Sequence, residues 1–147
     1  MKLKLKVINK QEFYRRLTKQ LGVVPIKNAQ RACFKSANLV KNEAIKSISQ
    51  GSPSGPVVTR YNPKRSLRIS AAGEPPVTDT GFLVSNITTE VQTEGRRVTG
   101  IVRSQAPYSA FLEFGTQQMP ARPFMHPAVD KSANKIKRIF LKEGMIK

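Results

Sequence analysis

The 147-residue chain has no tryptophan, one cysteine, one histidine and only nine acidic residues. Because Cys33 has no second cysteine to pair with in the chain, nothing in the sequence indicates an oxidising compartment. No apolar run approaches the ~20 residues that a membrane-spanning helix needs, so we expect no membrane contact. Residues 1–8 alternate lysines with apolar residues and lack the continuous apolar stretch of a secretory signal. These absences favour synthesis inside the cell.

The shortage of catalytic residue types argues against an enzyme. His126 is the only available histidine base, and Cys33 lies on an apolar helical stripe, where a free cysteine is usually buried and inert. One histidine and one cysteine cannot supply the three or four ligands of a zinc site. Neither a Walker-type phosphate loop nor a Gly-x-Gly-x-x-Gly turn occurs. We therefore predict no catalytic residues, no metal site and no cofactor.

The charge is strongly one-sided, with 26 Lys+Arg against 9 Asp+Glu and a formal net charge of +17 at pH 7. Such a field attracts nucleic acid or an acidic protein surface, although a solvated basic surface explains it equally well. The aromatic and basic signatures of RRM and KH domains are absent, so any DNA contact would be with phosphates. The residues that we expect to face DNA are Lys27, Arg31, Lys35, Lys135 and Arg138.

Apolar periodicity predicts helices along much of the chain. Residues 2–8 alternate as an edge strand does, and residues 10–21 follow as a helix. From Ile26 to Ile48, apolar residues recur at steps of three and four, which predicts a long helix from Pro25 to about Ser49. Most residues of this stripe are small, so whatever packs on it should approach closely. A last helix is predicted to start at Pro127.

Strands and a short helix are predicted between the two long helices. Residues 87–93 and 97–103 form the best hairpin of the sequence, around Glu94 and Gly95. Pro107 opens a short helix that we expect to turn Tyr108, Phe111 and Leu112 inward.

A proline- and glycine-rich stretch covers about residues 50–80. Within it, residues 57–60 and 65–70 are predicted to pair as a hairpin. A connection of this length is usually functional or disordered, and we interpret it as an arm that becomes ordered on a partner. The residues expected to make its contacts are Arg60, Tyr61, Arg65 and Arg68. The overall prediction is one α+β domain over residues 1–147, with a small antiparallel sheet packed against the long helix and the C-terminal helix.

Two segments near the C-terminus carry a specific signature. Residues 108–116 (YSAFLEFGT) and residues 119–128 (MPARPFMHPA) closely resemble the C-terminal signature of a family of small bacteriophage neck proteins. These are the tail-completion or head-tail joining proteins of long-tailed phages, often labelled minor tail components. Residues 73–76 (GEPP) and 79–83 (DTGFL) match a second, weaker block of that family.

The resemblance implies a structural virion protein made in the host cytoplasm and located in the neck. It implies a homo-oligomeric ring, with six copies expected, that completes the tail and joins it to the head connector around the DNA channel. Its neighbours would be the connector, stopper and tail terminator or tube. Two alternatives stay open: a free, sequence-independent nucleic-acid-binding protein, and a tail-terminator ring.

The signature also suggests where subunits or neighbouring rings would meet. Arg122 is suited to a bidentate contact with a carboxylate, either Glu113 of the same subunit or an acidic residue of a neighbour. Backbone amides are the other possible partners of Glu113. The aromatic residues Phe111, Phe114 and Phe124 fit either an interface or the core. The predicted interface residues are Phe114, Gly115, Thr116, Met119, Pro120, Arg122, Pro123 and Phe124.

Overall fold

A computed structural model describes residues 25–145 of the chain. The strand predicted at residues 2–8 and the helix predicted at residues 10–21 lie outside the described residues. That all 147 residues form one domain stays a prediction. The elements of the described part are α1 (Ile26–Gln50), β1 (Val57–Tyr61), β2 (Lys64–Arg68), α2 (Phe82–Ser85), β3 (Ile87–Glu94), β4 (Arg97–Ser104), α3 (Ser109–Phe114) and α4 (Met125–Lys142).

The long helix α1 is confirmed, and its small apolar stripe faces the rest of the chain. It begins directly after Pro25, whose missing amide hydrogen would have no partner inside the helix. Ala32 and Ala44 are fully buried, and Ile48 near the end of the helix is almost so. Because these side chains are short, neighbouring backbones come close to the helix axis.

Strands β3 and β4 form an antiparallel hairpin that lies against α1. Gly100 of β4 passes so close that a Cβ atom there would be 2.9 Å from the carbonyl oxygen of Cys33. The Cys33 thiol donates to the carbonyl of Val98 at 3.6 Å. On β3, the Thr89 hydroxyl donates to the side-chain oxygen of Asn38 at 3.2 Å. The predicted close approach to α1 is therefore confirmed, and Gly100 makes it possible.

The hydrophobic core joins α1, α2, β3 and the start of α4. Phe124 and Ile87 are each 1% exposed and lie in the same cluster. The remaining buried members of the cluster are Val40, Ala44, Ile48, Leu83, Ala106 and Ala128. The predicted α+β class is confirmed, with α4 packed along α1. The arm hairpin β1–β2 forms a second two-stranded sheet of its own. Within the described residues, no helix is long and apolar enough to cross a membrane.

Polar contacts hold α4 against α1 at both ends. Lys35 donates to the Glu143 carboxylate at 2.6 Å, with Arg31 at 3.5 Å from the same carboxylate. The Asn28 amide donates to the backbone carbonyl of Glu143 at 3.3 Å. At the other end, the Lys135 amine lies 3.2 Å from Glu43. An acidic side chain at a helix C-terminus is unfavourable by itself, so the cations of α1 compensate the charge of Glu143.

The ion pair at Glu143 predicts a pH-dependent contribution to stability. The hydrogen bond from Lys35, and then the charges of Lys35 and Arg31, lower the pKa of Glu143 below its ordinary value. A lowered pKa in the folded chain means stability that is present at neutral pH and is lost as the pH falls through the folded pKa. We expect Glu143→Gln to lower the urea midpoint at neutral pH and to have no effect once the pH is below the lowered pKa of Glu143 in the folded chain. A midpoint difference independent of pH would contradict this linkage. Glu94→Gln is the control, because Glu94 is exposed and has no cation within 4 Å in residues 25–145.

Candidate assembly interface

The carboxylate of Glu113 holds the first turn of α4. It accepts hydrogen bonds from the backbone amides of Phe124 at 2.9 Å, Met125 at 3.0 Å and His126 at 2.8 Å. The first amides of a helix have no partner inside it and carry its positive end, so an anion there is favourable. The residue before the helix, Phe124, cannot cap these amides with its side chain. Of the two partners suggested for Glu113, the backbone amides are therefore the ones found.

A tight turn at Gly115 sends the chain back from α3 toward α4. Gly115 has φ +77°, and a Cβ atom there would be 2.8 Å from the Ala121 nitrogen and 2.9 Å from the Met119 carbonyl oxygen. The Thr116 amide donates to the Met119 carbonyl at 2.8 Å, and the Thr116 hydroxyl accepts from the Met119 amide at 3.0 Å. Only glycine fits this conformation and this space without strain.

Backbone contacts then fix the segment that follows the turn. The Arg122 amide donates to the Leu112 carbonyl at 2.7 Å, and the Ala121 carbonyl accepts from the Gly73 amide at 2.8 Å. The last contact joins the two blocks that carry the family resemblance. Along this segment, Pro120 is exposed, whereas Arg122 and Pro123 are half-buried.

Phe124 belongs to the core and is therefore removed from the predicted interface residues. Its side chain is only 1% exposed and packs in the main hydrophobic cluster. It follows directly after the segment that Glu113 anchors, so the same contacts that start α4 place this ring inward. Phe124 is thus a core residue, the second of the two roles that its sequence context allowed.

The aromatic side chains of α3 point mostly to the surface. Phe114 is 82% exposed and Phe111 is 56% exposed, whereas Leu112 packs against the core. Tyr108 is 40% exposed, and its ring centroid lies 6.2 Å from that of Phe82. The prediction that Tyr108 and Phe111 turn inward is therefore wrong, because a six-residue helix on the core buries one narrow side, which Leu112 takes. We call Phe82, Tyr108, Phe111 and Phe114 the aromatic face.

The predicted arm is a hairpin whose arginines turn back to the chain. Arg65 pairs with Asp79, and the Arg60 guanidinium lies 3.7 Å from the same carboxylate. Arg68 donates to the Gly55 carbonyl at 3.0 Å. Tyr61, at the end of β1, remains 82% exposed. That the arm becomes ordered on a partner stays a prediction.

The base of the arm is closed by Glu74. Its carboxylate accepts from the Ser54 hydroxyl, from the Ser54 amide at 3.0 Å and from the Ala71 amide at 2.8 Å. These hydrogen bonds, first the one from the Ser54 hydroxyl, lower the pKa of Glu74. Glu74 belongs to the weaker block of the family resemblance, so that block has a structural role in closing the loop below the hairpin.

Three of the five residues expected to face DNA contact carboxylates of their own chain. Arg31 and Lys35 pair with Glu143, and Lys135 pairs with Glu43. Lys27 and Arg138 are exposed, and within residues 25–145 neither has a carboxylate within 4 Å. Contact between this face and DNA stays a prediction.

Comparison with known proteins assigns the chain to a family. Residues 11–115 match the family model described as "Bacteriophage HK97-gp10, putative tail-component", and this range covers well over half of the chain. The chain belongs to the HK97-gp10-like family. The resemblance to a phage tail and neck family is thereby confirmed. Searches of curated proteins and of solved structures found no match.

The range matched to the HK97-gp10-like family ends at Gly115. It contains α1, the arm, the β3–β4 hairpin and α3 with most of the aromatic-rich signature. The proline-rich half of the signature, residues 119–128, lies beyond the match and is joined to the matched part through Glu113 and Gly73. A family of phage tail components indicates a structural role in the virion.

Two features of the site escaped sequence reasoning. Ser70 is 2% exposed with a hydroxyl that has no partner among the described residues, and Asp79 gathers two arginines of the arm. Neither residue has a local sequence pattern that predicts its role, because its partners come from distant positions. The capping role of Glu113 had one signal, its position as a lone carboxylate among aromatic residues.

We predict that Glu113→Ala destabilises the fold by about 2 kcal/mol, because three amides of α4 lose a charged acceptor. Urea unfolding monitored by circular dichroism measures this change. Glu94→Ala is the matched control, since Glu94 is an exposed carboxylate, and should change stability by less than about 0.5 kcal/mol. Equal effects of the two substitutions would show that Glu113 does not hold the start of α4.

Proposed function

We propose that this HK97-gp10-like protein is a structural protein of the phage neck. In this proposal it forms a homo-oligomeric ring of six copies that completes the tail and joins it to the head connector around the DNA channel. The observation that carries the proposal is the aromatic face, a group of large apolar side chains left exposed on a firmly anchored helix. The role is one of assembly, with no catalytic step.

The aromatic face has the physical character of a protein-protein interface. Soluble monomers rarely expose a contiguous group of large apolar side chains without a function, and aromatic residues are frequent hot spots of binding. Phe114 is 82% exposed although its helix is fixed by Glu113 on one side and by the Gly115 turn on the other. Because the backbone of this helix is already fixed, only the side chain has to be ordered when a neighbour covers Phe114.

The remaining predicted contacts fit the edges of such a ring. Thr116, Met119, Pro120, Arg122 and Pro123 continue the surface beyond Phe114, and the exposed Tyr61 extends it along the arm. We assign these residues to contacts with the next subunit or with the connector, stopper, tail terminator or tube. Lys27 and Arg138 remain candidates for phosphate contacts in the channel.

Free nucleic-acid binding is the competing function, favoured by the net charge of +17. It receives less support because Arg31, Lys35 and Lys135 pair with Glu143 and Glu43 and so offer less uncompensated charge. A tail-terminator ring would use the same kind of interface and differs only in its position along the tail.

We predict that Phe114→Ser prevents assembly without unfolding the subunit. Loss of an aromatic hot spot removes roughly 2 kcal/mol from each contact, so the dissociation constant of the oligomer should rise roughly thirtyfold. Sedimentation of the purified protein measures this, and phage carrying the substitution should produce DNA-filled heads without joined tails. Phe34→Ser is the control, because Phe34 is a 56% exposed phenylalanine on α1, away from the aromatic face. Normal oligomers and normal particle yield with Phe114→Ser would refute the proposed interface.

Binding to short duplex DNA separates the two functions. A ring protein should oligomerise in the absence of DNA and bind duplex weakly. A free nucleic-acid-binding protein should stay monomeric and bind tightly, with log K falling steeply against log salt. Tight, salt-sensitive binding by a monomer would replace the neck proposal with the competing one.

A further inference from the structure

A cleft of about 290 Å³ opens between the arm, residues 76–84 and α3. Tyr108 and Phe82 of the aromatic face line it, so the cleft is continuous with the proposed interface. Its polar lining includes Arg60, Ser70 and Arg122. The cleft therefore combines an apolar wall with cationic and hydrogen-bonding groups.

Two residues that line the cleft each carry a buried donor with no partner among the described residues. The hydroxyl of Ser70 is buried in a residue that is 2% exposed, and the Nε of Arg122 is also buried. Buried donors without acceptors are unfavourable, and a ligand that supplies acceptors would recover that free energy. Ionised carboxylates accept hydrogen bonds without donating any, which makes them the matching chemistry.

The chain does not supply this carboxylate from its own described residues. Glu113, the nearby candidate, is occupied by the amides at the start of α4. Asp79 also lines the cleft, but its carboxylate is shared by Arg60 and Arg65. The lining thus holds two arginines and one carboxylate that is already shared with Arg65 outside the lining, and the guanidinium of Arg122 has no acidic residue within 4 Å in residues 25–145.

We infer that this cleft binds a carboxylate side chain from an acidic segment of a different virion protein, with Arg122 as its principal ligand. The inference rests on the proposed function and names the chemistry of one neighbour. The planar guanidinium of Arg122 provides a bidentate contact, and Arg60 adds a second charge at the cleft. Tyr108 and Phe82 provide apolar contact for the residues beside the carboxylate.

A second copy of this chain is a poor source of the carboxylate. Within residues 25–145, Asp130 lies 3.6 Å from the His126 ring and has Lys131 beside it in sequence. Glu94 has no hydrogen bond and no cation within 4 Å among these residues, and Arg96 and Arg97 stand beside it. A hairpin tip with these two arginines would be repelled by the cations of the cleft. The net charge of +17 also favours an acidic partner over a second basic copy.

A short fluorescent oligoglutamate peptide is the probe, and its binding to the full chain is measured by anisotropy at moderate salt. We expect Arg122→Gln to weaken peptide binding roughly tenfold, because a charge-assisted, bidentate contact is lost. Arg96→Gln removes the same charge from the exposed tip of the β3–β4 hairpin, which belongs to no proposed contact, and should weaken binding less than about twofold. Arg60→Gln alters a more exposed cleft residue, so it keeps the test decisive if Arg122→Gln fails to fold.

The other outcomes overturn the inference. Equal weakening by Arg122→Gln and Arg96→Gln would mean general attraction to net charge, and no weakening by the cleft variants would mean that the cleft binds no carboxylate. Loss of self-association in Arg122→Gln without an effect on the peptide would assign the carboxylate to a second copy. Phe114→Ser should leave peptide binding unchanged. Sedimentation of Phe114→Ser therefore tests the ring, whereas peptide binding by the arginine variants tests the cleft.

Discussion

The contact between the Glu113 carboxylate and the first amides of α4 is the constraint on which the surface of this protein depends. It joins the end of α3 to the start of the last helix, and donor and acceptor are eleven to thirteen positions apart in the sequence. The intervening chain must return within a short distance, which requires the left-handed turn at Gly115. With both ends held, Phe124 enters the core while Phe114 remains outside. The carboxylate of Glu113 thus holds the segment that carries Phe124 into the core.

Three other acidic residues are used in a similar way. Glu143 compensates Lys35 and Arg31 between the two long helices, Asp79 gathers the arginines of the arm, and Glu74 closes the loop below it. In a chain with 26 basic residues and 9 acidic ones, carboxylates are scarce, and each of these joins segments distant in sequence. Many basic side chains therefore have no carboxylate of their own chain to pair with, and one of them among residues 25–145, Arg122, lines a cleft.

Three proposed contact surfaces are continuous. Phe82 and Tyr108 of the aromatic face and Arg60 of the arm all line the cleft, so a partner that covers one of these surfaces approaches the others. An assembly protein needs such a combination, because apolar contact provides affinity while charged contact selects the partner. Membership in a family of phage tail components agrees with surfaces built for binding.

Within the described residues, the sequence by itself determined the long helix, the last helix, both hairpins and the family. Apolar periodicity, turn residues and signature motifs predict these features because they are local properties of the chain. The sequence also anticipated the close approach to α1, which follows from the small size of its stripe. Tertiary structure decided the rest. Whether Phe111, Phe114 and Phe124 face inward depends on which side of α3 meets the core, and the partners of Glu113 and Arg122 depend on how distant segments meet. Hydrogen bonds and burial between distant positions leave no periodic trace in one sequence, so only the folded chain shows them.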